Sequence, residues 1–276
     1  MTIFLGSIFF ILLLLIIWYS FRFEPYNFKV DKIRFYFKNL PLSFDRIKIV
    51  QISDLHSKKF CRKEKLVLKI INQLNPDYIF ITGDIIDNQT KTKDLDLCRP
   101  FWEKLGQQYQ NRIFGVFGNH LHDSRKINIH EFKKLVESCG ISILLNENKK
   151  LIRNGEYLYL IGVDDPRTKH HNLEQAMQGL EDNRVKILLA HSPEIIEDLK
   201  ESEVDLILAG HTHGGQVRLP LIPNFWIPTR DRGKYVSGLY RVKQIPLYIN
   251  RGIGVDLLPI RFNCPPEITL IELRKG

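Results

Sequence analysis

Cysteine is sparse in this 276-residue chain: Cys61, Cys98, Cys139 and Cys264, with no C-x-x-C pair. Four scattered thiols exclude a disulfide-built fold and fit reduced cysteines in a cytoplasmic setting. Glycine and proline stand at ordinary levels, and there is no internal repeat or low-complexity tract, which excludes fibrous classes. Dense basic runs and nucleic-acid modules are lacking too. The net charge of +9 is therefore not read as a nucleic-acid surface. One stretch lacks charge altogether, from Thr2 to Phe21. No Lys or Arg precedes Arg22, and there is no twin arginine or A-x-A pattern. A cleaved signal peptide would need a basic n-region and a small-residue cleavage site.

What that stretch does hold is a run, Ile8 to Ile17, almost wholly aliphatic or aromatic. About 20 apolar residues in a helix cross the hydrocarbon core of a bilayer. Trp18 and Tyr19 follow, where aromatic side chains favour the interface. Residues 1–21 are therefore expected to be an uncleaved transmembrane anchor. Arg22, Lys29, Lys32, Arg34 and Lys38 all lie C-terminal to it. The positive-inside rule then places the body on the cytoplasmic side of the inner membrane, where a basic balance is drawn to an anionic leaflet. The chain is 44% hydrophobic and 26% charged, enough to bury a core and to rule out disorder as its main state.

Residues 22–44 read as a mixed linker into a first strand, and 45–276 as one domain. Within it, short apolar strands alternate with helical spacing. The pattern predicts helices over 64–74, 95–109, 130–139, 173–180 and 193–200, and a strand-rich C-terminal third. Such alternation argues for an α/β fold with covered sheets. The last third adds a second, mixed sheet, so the expected architecture is a four-layer α/β/β/α sandwich.

Metal-type ligands follow the apolar strands. Arg46–Ser53 runs into Asp54, Leu55 and His56. Asp77–Thr82 runs into Gly83, Asp84 and, three residues on, Asp87. Arg112–Phe117 runs into Gly118, Asn119 and His120. Leu188–Ala190 leads to His191, and Leu206–Ala209 to Gly210, His211, Thr212, His213, Gly214 and Gly215. In α/β folds ligands bind at the carboxyl ends of strands. Each motif alone has a bland reading: a core histidine, a helix cap, an Asn turn. Together they would bury many polar groups, at a cost of several kcal/mol unless metal or hydrogen bonds satisfied them. Mixed Asp, His and Asn donors suit Mn²⁺, Fe²⁺ or Zn²⁺.

The ordered set D-x-H, G-D-x-x-D, G-N-H, a lone His and G-H-x-H resembles the calcineurin-like metallophosphoesterases. The resemblance covers roughly residues 46 to 273. The segment Gly210–Gln216, with Asn250–Gly254, Pro259–Arg261 and Pro265–Ile268, is similar to a bacterial subgroup of membrane-associated phosphodiesterases. A relative in that superfamily is the UDP-2,3-diacylglucosamine pyrophosphatase of lipid A synthesis. The resemblance implies two divalent metal ions, with Mn²⁺ favoured, sharing Asp84. It implies Asp54, His56 and His213 as further ligands of one ion, and Asn119, His191 and His211 of the other. His120 would not ligate but would sit over the scissile phosphate. The family commonly has an acid straight after that histidine. Leu121 stands there, followed by His122 and Asp123, so either Asp123 or another carboxylate would orient His120, or His120 is tuned differently. Asp87 reads either as an outer hydrogen-bonding partner or as a solvated turn residue.

An anchored phosphoesterase suggests a substrate at the bilayer, and a lipid-linked pyrophosphate such as UDP-2,3-diacylglucosamine leads. A general phosphodiesterase of small or nucleotide diesters is the alternative, and a non-catalytic scaffold a third reading. The apolar loop Leu219–Pro228 reads either as an acyl-chain contact or as a locally packed loop. Arg125, Arg167, Arg230, Arg232 and Arg251 are possible phosphate contacts. His122 is read as lining the site, and His130, His170 and His171 as surface residues.

Overall fold

The computed structural model describes residues 2–124, 126–219 and 233–276. In chain order its strands are β1 (Lys29–Phe37), β2 (Lys48–Ile52), β3 (Tyr78–Thr82), β4 (Ile113–Val116), β5 (Ser142–Ile143) and β6 (Glu147–Arg153). They continue with β7 (Glu156–Gly162), β8 (Lys186–Leu189), β9 (Leu206–Ala209), β10 (Gly238–Val242), β11 (Ile245–Ile249) and β12 (Glu267–Lys275). The helices are α1 (Thr2–Arg22), α2 (Arg62–Leu74), α3 (Leu95–Gln108), α4 (Asn119–Ser124), α5 (Ile129–Ser138) and α6 (Leu173–Ala176).

Two six-stranded mixed sheets stack face to face. One runs β1-β12-β2-β3-β4-β5, the other β10-β11-β9-β8-β7-β6. Strands β2, β3, β4 and β5 are parallel neighbours, as are β7, β8, β9 and β11. Period-two alternation assigns each side chain to a layer. Ile187 and Leu189 of β8, Leu206 and Leu208 of β9, and Phe80 of β3 fill the seam between the sheets. Ile79 and Ile81 of β3 turn the other way, onto Val67 and Ile71 of α2 and Phe101 and Trp102 of α3. Leu188 and Ile207 face outward from the second sheet onto Ile195, Ile196 and Ala176. Three apolar cores separate four layers, the expected sandwich, and explain why these strands are apolar on both faces.

Three segments depart from the expectation. Residues 29–37, read within a linker, are β1, which pairs in parallel with β12 from Lys29↔Glu267 to Phe37↔Lys275. Its many charges alternate with Ile33, Phe35 and Phe37, which join the intersheet core. The helix expected over 173–180 is one turn, stopped before Gly179 at φ +76. The helix expected over 193–200 is a 3₁₀ turn, Pro193–Glu197. There the Lys243 ammonium takes up the carbonyls of Ile196, Glu197 and Leu199 at 2.9, 2.8 and 2.7 Å, so no longer helix is needed to satisfy them.

Helix α1 is long and apolar enough to cross a membrane, and it buries almost none of its surface in the protein. Phe9 is 68% and Trp18 58% exposed. Its last turn is tied to the body: the Arg261 N–H donates to the Ser20 carbonyl at 3.0 Å.

Candidate metal centre

Parallel order places the C-terminal ends of β2, β3 and β4 side by side in one sheet, and those of β8 and β9 in the other. Each strand hands over directly to one of the motif residues. The chain must turn sharply there, and Asp54, His56, Asp84, His211 and His213 all sit at positive φ, between 44° and 71°. Non-glycine residues in that region cost on the order of 1–3 kcal/mol each and cluster at functional sites. Gly118 allows the close approach of β4's end to β3's. A Cβ on it would collide with the Asp84 carboxylate.

Six of the seven expected ligands converge, Asn119 follows Gly118 at the end of β4 beside them, and all seven are buried. Asp84 is the hub. Its Oδ2 lies 3.2 Å from His191 Nε2 and 3.8 Å from both His56 Nε2 and His120 Nε2. Around it stand two groups able to hold a cation, Asp54 with His56 and His213, and Asp84 with His191 and His211. In the first, His56 Nε2 and His213 Nε2 approach to 2.9 Å, and His213 Nε2 lies 3.5 Å from Asp54 Oδ1. In the second, His211 Nδ1 lies 3.1 Å from His191 Nε2. The Thr82 carbonyl, 2.8 Å from His191 Nδ1, accepts that nitrogen's proton and leaves Nε2 facing the centre.

The remaining contacts show that these donors suit a cation. Asn119 Nδ2 donates to Asp123 Oδ2 at 2.9 Å, which turns the amide oxygen away. That Oδ1 is buried without a hydrogen-bond partner. Unpaired buried acceptors are costly, and a divalent ion among Asp, His and Asn donors removes the cost. Burial holds His56 and His213 well below the usual histidine range. It also raises Asp54 to about 6, with Asp84's charge adding to the rise. Burial opposes charging His191 as well, but the Asp84 and Asp54 carboxylates outweigh it and push His191 up to about 10.

His120 joins the cluster without being central to either group. Its ring stands edge-on to His56, centroids 4.4 Å apart. The Asn88 N–H donates to its Nδ1 at 3.2 Å, so the neutral ring carries its proton on Nε2. Asp123, one candidate for orienting His120, is engaged with Asn119. Asp84 and Asp256 are the carboxylates nearest His120 Nε2, each 3.8 Å away. Asp256 lies between the segments Asn250–Gly254 and Pro259–Arg261 without belonging to either, and nothing in the sequence sets it beside His120. Asp87 is a turn residue but a buried one, 8% exposed, not a solvated one. It accepts the Gln89 N–H at 2.9 Å in a turn, and it groups with His56 and His120.

Of the arginines, Arg167 reaches the site, with Nη1 3.2 Å from His211 Nε2. Arg251 does not serve a phosphate. It forms ion pairs with Asp31 at 2.6 Å and Glu267 at 2.7 Å. Arg125, Arg230, Arg232 and most of the Leu219–Pro228 loop lie outside the described residues. His122 pairs with Asp164 at 2.8 Å and stacks on His170 at 3.9 Å, on a cavity that Arg167 also lines.

The profile of the family described as calcineurin-like phosphoesterase matches residues 47–215. The chain belongs to that family. As a calcineurin-like phosphoesterase it is a metal-dependent phosphoester hydrolase. Among relatives, it is 34% identical over 260 residues to "Uncharacterized metallophosphoesterase YkuE" of Bacillus subtilis (strain 168), covering 91% of this chain and 87% of that one. It is 30% identical over 258 residues to "Phosphodiesterase YaeI" of Escherichia coli (strain K12), covering 91% and 90%. It is 29% identical over 263 residues to "Transmembrane protein with metallophosphoesterase domain" of Danio rerio, covering 90% of this chain and 58% of that one.

Proposed function

We propose that this phosphoesterase is a membrane-anchored phosphodiesterase or pyrophosphatase working with two divalent ions, Mn²⁺ foremost. Asp54, His56, Asp84 and His213 would hold one ion, and Asp84, Asn119, His191 and His211 the other. The observation that carries this reading is the central place of Asp84 Oδ2 between the two groups. When bound, such a pair supplies Lewis acidity toward phosphoryl oxygens and acidifies an attacking water. The protein's own part is orientation and proton transfer. His191 is fixed by the Thr82 carbonyl and Asn119 by Asp123. His120 Nε2 carries the proton that a departing oxygen needs, and general acid transfer of this kind contributes typically about 10²–10⁴-fold.

The leading substrate is UDP-2,3-diacylglucosamine, a lipid-linked pyrophosphate. The apolar helix α1 supports a substrate at the bilayer, as does the printed name of the Danio rerio relative. The uncharged run before Arg22 and the basic residues after it support a body facing the cytoplasm from the inner membrane. The printed name of the Escherichia coli relative favours a second reading, a phosphodiesterase of small diesters with the anchor serving location only. Full-length protein in detergent with Mn²⁺, offered UDP-2,3-diacylglucosamine beside bis-p-nitrophenyl phosphate, separates the two. A preference for the lipid nucleotide in kcat/KM, with release of UMP, supports the first. Turnover of only the small diester supports the second. A reporter fused after Gly276 should be active in the cytoplasm, and a periplasmic signal would reverse the topology.

A further inference from the structure

A cavity of about 630 Å³ has His56 and Asp256 in one wall and Phe21 and Arg22, the end of α1, in another. The two walls are held together firmly. Glu24, 2% exposed, accepts the N–H groups of Asn263 and Cys264 at 3.0 and 2.6 Å. Arg261 is fully buried. Its guanidinium donates to the carbonyls of Arg251, Gly252, Gly254 and Cys264. The loop bearing Asp256 is thus clamped to the end of α1 on one side and to the metal cluster on the other.

The cavity rim has two unlike surfaces. Leu257 and Leu258 line it while 75% and 59% exposed. Leu257 also sits at φ 53. A leucine in left-handed backbone pays a conformational cost, yet here its side chain stays mostly exposed. Lys58 and Lys59, both exposed, line the same cavity. A helix whose Trp18 and Tyr19 sit at the bilayer interface sets Phe21 and Arg22 at headgroup depth. The cavity mouth then opens on the leaflet itself.

We propose that this cavity is the access route and binding site for a phosphate-bearing lipid drawn from that leaflet. Its phosphate passes Lys58 and Lys59 toward the metal cluster, and its chains stay against Leu257, Leu258 and Phe21. An apolar rim continuous with a membrane-length helix, beside the exposed Lys58 and Lys59, matches an anionic amphiphile, whose phosphate would compete with Asp87, 3.4 Å from the Lys58 ammonium. The proposal rests on the hydrolase reading for its catalytic consequence, but contact with the bilayer can be measured without turnover.

The first test uses the full-length chain in vesicles of phosphatidylethanolamine and phosphatidylglycerol. An environment-sensitive fluorophore is placed on Leu258→Cys in a Cys61→Ser background, and separately on Ile152→Cys of β6, which is 66% exposed. Nitroxide lipids should quench the label at 258 and spare that at 152. A label at 258 as open to aqueous iodide as that at 152 would overturn the proposal. In the second, dioleoyl phosphatidic acid in the vesicles competes with bis-p-nitrophenyl phosphate, beside soluble glycerol 3-phosphate. The lipid should inhibit at least about tenfold more strongly, the factor that burying one leucine side chain implies. Leu257→Asp with Leu258→Asp should remove that advantage. Equal inhibition by both phosphates in the wild type would show a site for free phosphate only and sink the proposal. An inactive wild type would count against the hydrolase reading alone, with the fluorescence still deciding the cavity.

Discussion

The two halves of the candidate metal centre are both built on Asp and His, with Asn119 added to one, and they differ in what faces their histidines. His56 and His213 face each other, with Nε2 atoms 2.9 Å apart, and burial keeps both rings uncharged. His191 faces the Asp84 and Asp54 carboxylates at 3.2 and 3.9 Å, which outweigh burial and raise it to about 10. Without ions, one half is a pair of neutral rings and the other an ion pair. The difference comes from neighbours across the seam between the sheets, since every motif taken alone is an Asp or a His after a strand. A cation would satisfy the lone pairs of the first half and displace the proton of the second, so binding should release protons mainly from the His191 side.

Breaking the element common to both halves should have the largest effect. We expect Asp84→Ala to lose bound metal from both halves and turnover by a factor of about 10³ or more, beyond the loss of one transition-state donor. Full metal occupancy by elemental analysis would refute the shared role. His120→Ala should lower kcat by about a hundredfold or more with metal content intact, and unchanged turnover would remove its assignment. Asp123→Ala acts on the His191 half alone, by freeing the Asn119 amide. Its metal affinity should fall about 10–100-fold, as for other outer-shell partners, and excess metal should restore the rate. Equal loss from both halves would contradict the contact.

The smallest effect sharpens the contrast most. In chelator-treated protein the halves should oppose each other in pH. His191 titrates higher in the folded chain, so its stabilisation is complete below about 6.5 and is lost as pH rises through about 10. His56 and His213 titrate lower in the folded chain, so the unfolded chain binds the protons first and stability falls as pH drops below about 6.5. Thermal melts should show His191→Gln flattening the alkaline limb and His213→Gln the acid limb. The reverse assignment would contradict the geometry.

Much of this was legible in the chain. The alternation of apolar strands with helices follows from covered sheets, and residues from Asp54 to His213 stood out because acids and histidines rarely follow such strands without a purpose. β1 was hidden because Lys29, Lys32 and Arg34 mask a period-two pattern whose apolar members meet a core only when β12 is beside it. Asp256 and the Asn88 N–H were hidden for a related reason. Neither belongs to a motif, and each gains a role only by lying next to His120. Arg251 misled because an arginine near a metal motif suits phosphate equally well until Asp31 and Glu267 are seen to hold it.

Local composition and order were therefore sufficient for the layered α/β class, the apolar N-terminal helix and the identity of the clustered donors. Those depend on periodicity and on residue chemistry, which are properties of short stretches. The central place of Asp84, the contrast between His56 and His191, the clamp of Glu24 and Arg261, and the cavity reaching α1 belong to the packed molecule. Each is set by distances between residues far apart in the chain, where burial and a neighbouring charge decide what the same side chain does.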